Sequence, residues 1–434
     1  MKLPKANLHL VVLGFSAIIF FVVGGLRAFR FSHDLVPVYT GAGCLLEGCN
    51  PYDTAQLEQQ LFQRGGAASD LPSWEIDVPV YPPSTFLVLT PLTLFHYSLA
   101  RFLWFVLNGC LLVISAVLVL SICPQSQRWL ATILLSLILA TSGILLVVGQ
   151  PGTLAIALVI IASYLFLRGR SLALGAFLLM LSLAIKPQIG GLLALYFLTQ
   201  KPYRRYAAVA LAGALMLLVC SGLSLRLHPQ SKNWISTLRA NLGATTGPGG
   251  SADPRQANQE AIGDTNLQTL TSIFFVEART FNVIAYAIFL GLLTAWIIAF
   301  PWSNASLETH FFALAALSIL SLMPVYHRFY DTRLLLLTVP AVAVIFQKRR
   351  ILGGFVAVLT VLAVISVQYR VQLLLIQNGS WQRLLPHPLL FILLLRQQNL
   401  ELLLLFGLYL AAILGVRRSV WLPYEIKQAP SPTA

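Results

Sequence analysis

The chain has 434 residues, 57% of them hydrophobic and only 10% charged, with a formal net charge of +14. A water-soluble protein of this length has no means of hiding so much apolar surface, because apolar atoms already make up more than half of any folded surface. The long continuous apolar runs also exclude a β-barrel, leaving an all-α polytopic membrane protein whose basic excess reads as topology and not as nucleic-acid binding.

A hydrocarbon core of ~30 Å takes about 20 apolar residues in a helix. The first run, at 8–26, follows MKLPKANLHL with no small-residue cleavage site behind it, so residues 1–26 read as an uncleaved first transmembrane helix. Residues 27–97 are a polar first loop. Spans are predicted next at 98–122, 130–148, 153–167, 171–185, 188–200 and 207–224, which makes 98–224 one helical module. A second loop covers 225–280. Segment 281–416 holds spans at 281–300, 308–322, 331–346, 351–368 and 400–416, with a third loop at 369–399 and a tail at 417–434. The expected total is twelve transmembrane helices.

Basic residues set the orientation. With the N-terminus in the cytoplasm, the inner segments hold Lys2, Lys5, Arg128, Arg168, Arg170, Lys201, Arg204, Arg205, Lys348, Arg349, Arg350, Arg417, Arg418 and Lys427 against only Glu308 and Glu425. RGR, KPYRR, QKRR and VRR are all short-loop clusters, which is where the positive-inside rule operates. Both termini are therefore expected in the cytoplasm of a cell whose inner (plasma) membrane holds the chain. Residues 84–97 (STFLVLTPLTLFHY) are apolar, but counting them as a span would turn RGR outward. Short and carrying Pro91, they read as a helix lying at the outer interface. The three sizeable loops then share the non-cytoplasmic face, and the chemistry is expected there.

Cys44 and Cys49 sit five residues apart in GAGCLLEGCN, too far to bridge within one continuous helix; Gly48 suggests that the helix ends between them, so both the disulfide and the free-thiol readings stay open. Cys110, Cys123 and Cys220 read as packing residues. No CxxC pair, zinc spacing, P-loop or dinucleotide fingerprint occurs, so no metal site and no nucleotide-driven engine is expected.

The candidate chemistry lies in four places. The first loop carries His33, Asp34, Asp53 and Asp77 beside the bilayer. From Asp34 through Tyr39 to Leu46 it reads as an amphipathic helix stopped by Gly48 and followed by the turn NPYD, holding Asp34 at fixed depth, where a carboxylate is able to accept a proton from a sugar hydroxyl. GQPGT at 149–153 and IKPQ at 185–188 fall at turns, and the helices flanking IKPQ are too short to cross upright, so Lys186 should be recessed and face an interior cavity as a point charge for a phosphate. MPVYHRFYDTRLL at 323–335 packs Tyr326, His327, Arg328, Tyr330, Asp331 and Arg333 together. Interfacial anchoring explains the Tyr and Arg residues but not a His–Arg–Asp cluster, in which Asp331 would orient His327 or Arg328 toward an anionic group. In the second loop, the Gly/Ser/Pro-rich stretch before DTNLQTLTSIF suits either a lid or a linker.

These pieces, in this order, resemble glycosyltransferase family 87, the polyprenyl-phosphate-mannose-dependent α-mannosyltransferases of the GT-C fold. The matching residues are DLVPVYTGA at Asp34 to Ala42, the G-x-N-P-Y turn at Gly48 to Tyr52 and YPP at Tyr81 to Pro83. They continue with GQ at Gly149–Gln150, IKP at Ile185 to Pro187, N-x-Q-T at Asn266 to Thr269 and P-x-x-x-H at Pro324 to His327. The resemblance implies a GT-C-type fold with an interfacial helix ahead of the second span, Asp34 as catalytic base and His327 as a catalytic histidine. Together with the residues read above from the loops and turns, the expected substrate-binding positions are His33, Tyr39, Tyr52, Tyr81, Gln150, Lys186, Gln188, Asn266, Gln268, Tyr326, Arg328 and Asp331. It implies no cofactor: a polyprenyl-phosphate sugar is the donor substrate, and the partners are a glycolipid or glycan acceptor and the lipid bilayer. The expected reaction moves a mannose to an acceptor hydroxyl with inversion. A transporter or flippase for a lipid-linked or polar solute is the alternative, but it predicts a paired second copy of the broken IKP helix, and none is evident.

Overall fold

A computed structural model describes residues 5–71, 78–259, 261, 263–302, 305–384 and 386–417. Asp77 and residues 418–434 lie outside them. The regular elements of the described residues are all helices, with one isolated antiparallel bridge between Asp264 and Arg328. In chain order the first helices are α1 (Lys5–Phe31), α2 (Leu35–Glu47), α3 (Thr54–Gln63), α4 (Pro83–Leu89), α5 (Tyr97–Ile122), α6 (Arg128–Ala140) and α7 (Gly143–Val148). They are followed by α8 (Pro151–Leu167), α9 (Leu172–Ile185), α10 (Pro187–Thr199), α11 (Arg204–Leu227), α12 (Trp234–Thr246), α13 (Gln268–Thr271) and α14 (Ala278–Ala299). The last are α15 (Leu307–Ser321), α16 (Val339–Lys348), α17 (Arg350–Ile365), α18 (Val367–Gln377), α19 (Trp381–Leu384), α20 (Pro388–Leu395) and α21 (Gln397–Arg417).

Among the described residues seven helical runs, not twelve, are long and apolar enough to cross a bilayer: Leu8–Leu26, Tyr97–Ile122, Gln125–Val148, Arg204–Leu227, Ala278–Ala299, Phe329–Lys348 and Gln397–Val416. An eighth is reached if Arg350–Ile365 and Arg370–Gln377, bent by 45°, count as one broken span. The other four expected spans are helices α8, α9, α10 and α15, with 17, 14, 13 and 15 residues. At 1.5 Å per residue these rise only about 20–25 Å. They have the apolar composition of spans without the length.

Two large packed cores divide the labour, beside a small cluster around Phe391 and Leu395. The larger runs through the helical body, from Leu13 and Phe20 of α1 to Tyr409 and Ile413 of α21. The smaller belongs to the first loop, which folds as a cap: Leu35, Val38 and Tyr39 of α2, Leu57 and Leu61 of α3 and Phe86 of α4 pack on Trp104 of α5. Helix α2 ends at Gly48, whose φ is 85°; a side chain there would reach within 2.7 Å of His228 Nδ1. That left-handed end brings Cys44 and Cys49 to a Cα separation of 4.5 Å, and they form a disulfide. Cys123 is buried, as a packing residue should be, whereas Cys110 and Cys220 are exposed on helix faces.

Helix α4 covers the start of the helix expected at the outer interface over 84–97, and it is packed into protein. Pro83, Ser84, Thr85, Phe86 and Leu89 are buried, and the exposed apolar residues come only after it, at Leu94 and Phe95. The reason is local. Lys186 takes φ −148° and ψ 81° between α9 and α10, which leaves the last carbonyls of α9 without helical partners. Ser84 Oγ donates to the Ala184 carbonyl at 2.7 Å and Thr85 Oγ1 to that of Ile185 at 2.8 Å. Helix α4 thus caps a broken helix.

Residues Phe329–Thr338 form a 3-10 segment ahead of α16, where a regular α-helical span from 331 was expected. The fully buried Arg333 accounts for the irregular backbone. Its guanidinium donates to the carbonyls of Phe329 (3.1 Å), Val364 (3.1 Å) and Thr141 (3.0 Å), tying three elements together.

Candidate active site

Three interruptions of helical backbone converge at one end of the body, under the cap. At the α7–α8 turn, the Val148 carbonyl accepts the Asp34 N–H at 3.0 Å, and the Gly149 carbonyl accepts Trp104 Nε1 at 2.8 Å. Gly149 has φ 72° and leaves only 3.2 Å between a would-be Cβ and Leu35, so the first loop is pressed directly onto this turn. Gln150 then caps α8: its Oε1 accepts from the Gly152 N–H at 3.2 Å and from Tyr81 OH at 3.1 Å, while its Nε2 donates to Tyr330 OH at 2.8 Å.

The α9–α10 break delivers Lys186. Its ammonium lies 2.6 Å from Asp331 Oδ2, and His327 Nδ1 lies 2.8 Å from the same oxygen. The three side chains are 10%, 1% and 0% exposed. A carboxylate only accepts, so His327 presents Nδ1–H to it. Burial pulls the imidazole below its ordinary value, outweighing the raising effect of Asp331, so the ring is neutral near pH 7. Asp331 Oδ1 has no partner, and a methyl group on Gly152 would come within 2.8 Å of it and 3.1 Å of Lys186 Nζ. The close approach of α8 to this ion pair therefore depends on Gly152.

Asp34 stands on the other side of the same turn. It is half-buried, as is its neighbour His33, and its charge acts on Tyr326, Arg328 and Tyr330. Arg328 Nε donates to Tyr326 OH, and the guanidinium lies 5.7 Å from that ring's centre. Burial opposes the charge on Arg328, but Tyr326, Tyr330, Asp264 and Asp34 together hold its pKa well above the ordinary value. Tyr330 is within electrostatic reach of both Asp34 and Asp331, so it joins the two halves of the cluster.

The second loop closes the site from the side. Thr265 N–H donates to the His327 carbonyl at 2.9 Å and Leu267 N–H to that of Met323 at 3.0 Å. Asp264 is fully buried with neither carboxylate oxygen hydrogen-bonded. Burial pushes its carboxyl up to about 7, against the lowering charges of Arg328 and Arg396. Arg396, also fully buried, donates to the Ala261 carbonyl at 3.0 Å and is itself pulled down to about 10 by burial.

Asp34, Tyr81, Gln150, Lys186, Tyr326, His327, Arg328 and Asp331 are thus brought together. Several expected contacts are not. Tyr39 is fully buried with its hydroxyl donating to the Phe95 carbonyl at 2.6 Å; Tyr52 is 1% exposed, donates to the Tyr81 carbonyl at 2.8 Å and stacks on Trp234. Both brace the cap from inside and present no face to a substrate. Asp53 is the N-cap of α3, accepting from Ala55 and Gln56 N–H. Asn266 Oδ1 is engaged by the Thr269 N–H at 3.0 Å, and Gln268 Nε2 by the Pro324 carbonyl at 2.8 Å, so this pair shapes the second loop. Gln188 is half-buried on the first turn of α10. Sequence reasoning named Tyr330 in the 323–335 cluster but gave it no role, and passed over Asp264 and Arg396. The first two lie inside quoted motifs (HRFYD and DTNLQT), but Arg396 contacts Ala261 across 135 positions and leaves no local signal.

A polytopic helical membrane protein that interrupts its helices to gather a carboxylate, an arginine and a buried lysine–aspartate pair at one end has the form of a membrane-embedded transfer enzyme. The chain belongs to glycosyltransferase family 87, whose family model matches residues 80–326, more than half its length. Membership makes it a membrane glycosyltransferase and implies the GT-C fold. The matched stretch includes Tyr81, Gln150, Lys186 and Tyr326 and stops one residue before His327; Asp34 lies ahead of it. No curated protein matches the chain.

Proposed function

We propose that the protein transfers a mannose from a polyprenyl-phosphate donor to a hydroxyl of a glycolipid or glycan, with inversion, on the non-cytoplasmic face of the cell membrane. The observation that carries this reading is the position of Asp34: half-buried, anchored by its backbone to the α7–α8 turn, and within electrostatic reach of Arg328. Asp34 takes the proton of the acceptor hydroxyl, whose oxygen attacks the anomeric carbon from the face opposite the lipid phosphate. The bond from that carbon to the phosphate oxygen breaks, and its electron pair leaves with the polyprenyl phosphate. Arg328 stabilises the charge that develops there. Lys186 and His327 act differently from the direct phosphate contacts first expected of them: the Lys186 ammonium and His327 Nδ1 are both engaged by Asp331, while His327 Nε2 has no hydrogen-bond partner among the described residues, and in this reading they fix the 327–331 turn that carries Arg328. The charge distribution supports the face, since the short loops opposite the site end carry the basic clusters RGR and KPYRR.

The test is Asp34→Asn in purified protein given radiolabelled polyprenyl-phosphate mannose and a membrane lipid extract. A variant that inserts normally should transfer no measurable sugar. Transfer within a few-fold of the unaltered protein removes Asp34 as the base.

A further inference from the structure

The phenol of Tyr330 has a hydrogen-bond polarity imposed on it by Gln150. The Gly152 N–H only donates, so the Gln150 amide must turn Oε1 toward it, at 3.2 Å. Tyr81 OH, donating to the same oxygen at 3.1 Å, supports that orientation. Nε2 then faces Tyr330 at 2.8 Å, and an amide NH2 only donates. The Tyr330 oxygen is therefore the acceptor, and its single proton must point elsewhere. Among the hydrogen bonds of the described residues no protein acceptor takes that proton. The ionisable groups within its electrostatic reach are Asp34, Arg328, Tyr326 and Asp331; Asp331 is buried and its free Oδ1 makes no hydrogen bond to the phenol, whereas Asp34, Arg328 and Tyr326 are half-buried.

The nearby cations narrow what accepts that proton. Lys186 is neutralised by Asp331, and Arg333 gives its nitrogens to Phe329, Thr141, Val364 and Ser142. Among the hydrogen bonds of the described residues the Arg328 guanidinium uses only Nε, to Tyr326; Asp34 and Asp264 act on it through charge without a hydrogen bond to its terminal nitrogens. A guanidinium fork beside an uncommitted O–H donor is a phosphate-oxygen site, because every proton offered there needs an acceptor-only partner.

We propose that Tyr330 donates a hydrogen bond directly to a phosphate oxygen of the lipid-phosphate leaving group, beside the terminal nitrogens of Arg328, with Gln150 as the residue that aims it. This rests on the reading of the protein as a polyprenyl-phosphate-dependent transferase. No proton changes hands. As the anomeric carbon–oxygen bond breaks and its electron pair moves onto the phosphate, the O–H contact to that phosphate strengthens.

The experiment uses the full-length protein in nanodiscs and polyprenyl phosphate, the sugar-free product, as a competitive inhibitor. Tyr330→Phe should weaken inhibition about tenfold or more, as expected for a lost hydrogen bond to a charged group, and should lower kcat while leaving the acid limb of the pH–rate profile in place. Gln150→Leu should change both in the same direction by less, since the phenol stays but is no longer aimed; it also serves if Tyr330→Phe does not fold. Unchanged inhibition in the folded variants overturns the proposal. So does unchanged inhibition with an acid limb moved upward, which would mean that Tyr330 serves Asp34. If the unaltered protein neither transfers mannose nor binds polyprenyl phosphate, the functional reading fails first; if it does both and the variants match it, only the Tyr330 assignment fails.

Discussion

Asp331→Asn is the most informative single change, because it separates two jobs that Lys186 could hold. Asp331 accepts from the Lys186 ammonium at 2.6 Å and from His327 Nδ1 at 2.8 Å while its side chain is 1% exposed. An asparagine keeps one acceptor oxygen, enough for His327, but brings no charge. The ammonium would remain in a site where only a tenth of the Lys186 side chain meets solvent. Breaking one partner out of a buried ion pair costs about 3–5 kcal/mol, mostly as the penalty on the charge left behind. The same reasoning says that removing both charges is far milder, so Lys186→Met combined with Asp331→Asn should recover most of the loss and sit within about 2 kcal/mol of the unaltered protein. The assay is reversible unfolding in mixed micelles by SDS titration, run on the four members of the cycle, with donor KM and kcat measured beside it. A cost below about 1 kcal/mol for Asp331→Asn, together with a Lys186→Met variant of normal stability and greatly raised donor KM, would refute the argument. Lys186 would then be a phosphate ligand first and a structural partner second.

Other outcomes follow from the same geometry. Gly152→Ala should cut activity and stability together, because its methyl lands 2.8 Å from Asp331 Oδ1 and 3.1 Å from Lys186 Nζ; transfer assays and unfolding on one sample check this. Asp264 has a folded pKa raised to about 7 from 3.8, so folding favours its protonated form, and the stability it lends is full below the unfolded value and lost as pH rises through about 7. Asp264→Asn should therefore be more stable than the unaltered protein at pH 8, on the order of a few kcal/mol, and not at pH 4, as read by unfolding at the two pH values. Replacing Cys44 and Cys49 by Ser opens a loop of separation five; loop-closure entropy predicts a loss of roughly 2 kcal/mol, measurable by the same titration, with the cap loosening first in hydrogen exchange.

How far the sequence could be read depended on whether a feature is local. The stop of α2 at Gly48 was legible because a left-handed residue after a helix is a one-residue signal. The helix break that carries the buried Lys186 was legible because Pro187 forbids a continuous helix and the flanking runs are short. The His–Arg–Asp cluster was legible as a density of charge where hydropathy predicts none, and the structure gives Asp331 to His327 as well as to Lys186. What failed was the assignment of faces and lengths. Tyr39 and Tyr52 lie in motifs but point inward, since their hydroxyls find carbonyls of Phe95 and Tyr81 that are distant in sequence. The short helices passed as spans because an apolar helix buried by protein and one bathed in lipid share a composition. The 3-10 course of Phe329–Thr338 depends on Arg333 reaching Thr141 and Val364, partners that no local pattern identifies.

Backbone irregularity within an apolar body is tolerated only where protein groups or a wet cavity satisfy it. Here each irregularity is satisfied by the element that it helps to place. The carbonyls orphaned at Lys186 are taken by Ser84 and Thr85, so the break that delivers a cation also fixes the helix that follows Tyr81. The turn at Gly149 offers its carbonyl to Trp104 and that of Val148 to Asp34, so the bend that starts α8 also anchors the proposed base. The irregular 329–338 segment is stitched by Arg333, and its start brings Arg328 and Tyr330 within electrostatic reach of Asp34. No one of these breaks would be stable without the others, because each would leave buried polar groups unmet at a cost of several kcal/mol apiece in hydrocarbon. The site is therefore the mutual solution to three broken helices. Substitutions at Ser84, Trp104 or Arg333, none of which is positioned to touch a sugar, should accordingly lower transfer as severely as they lower stability.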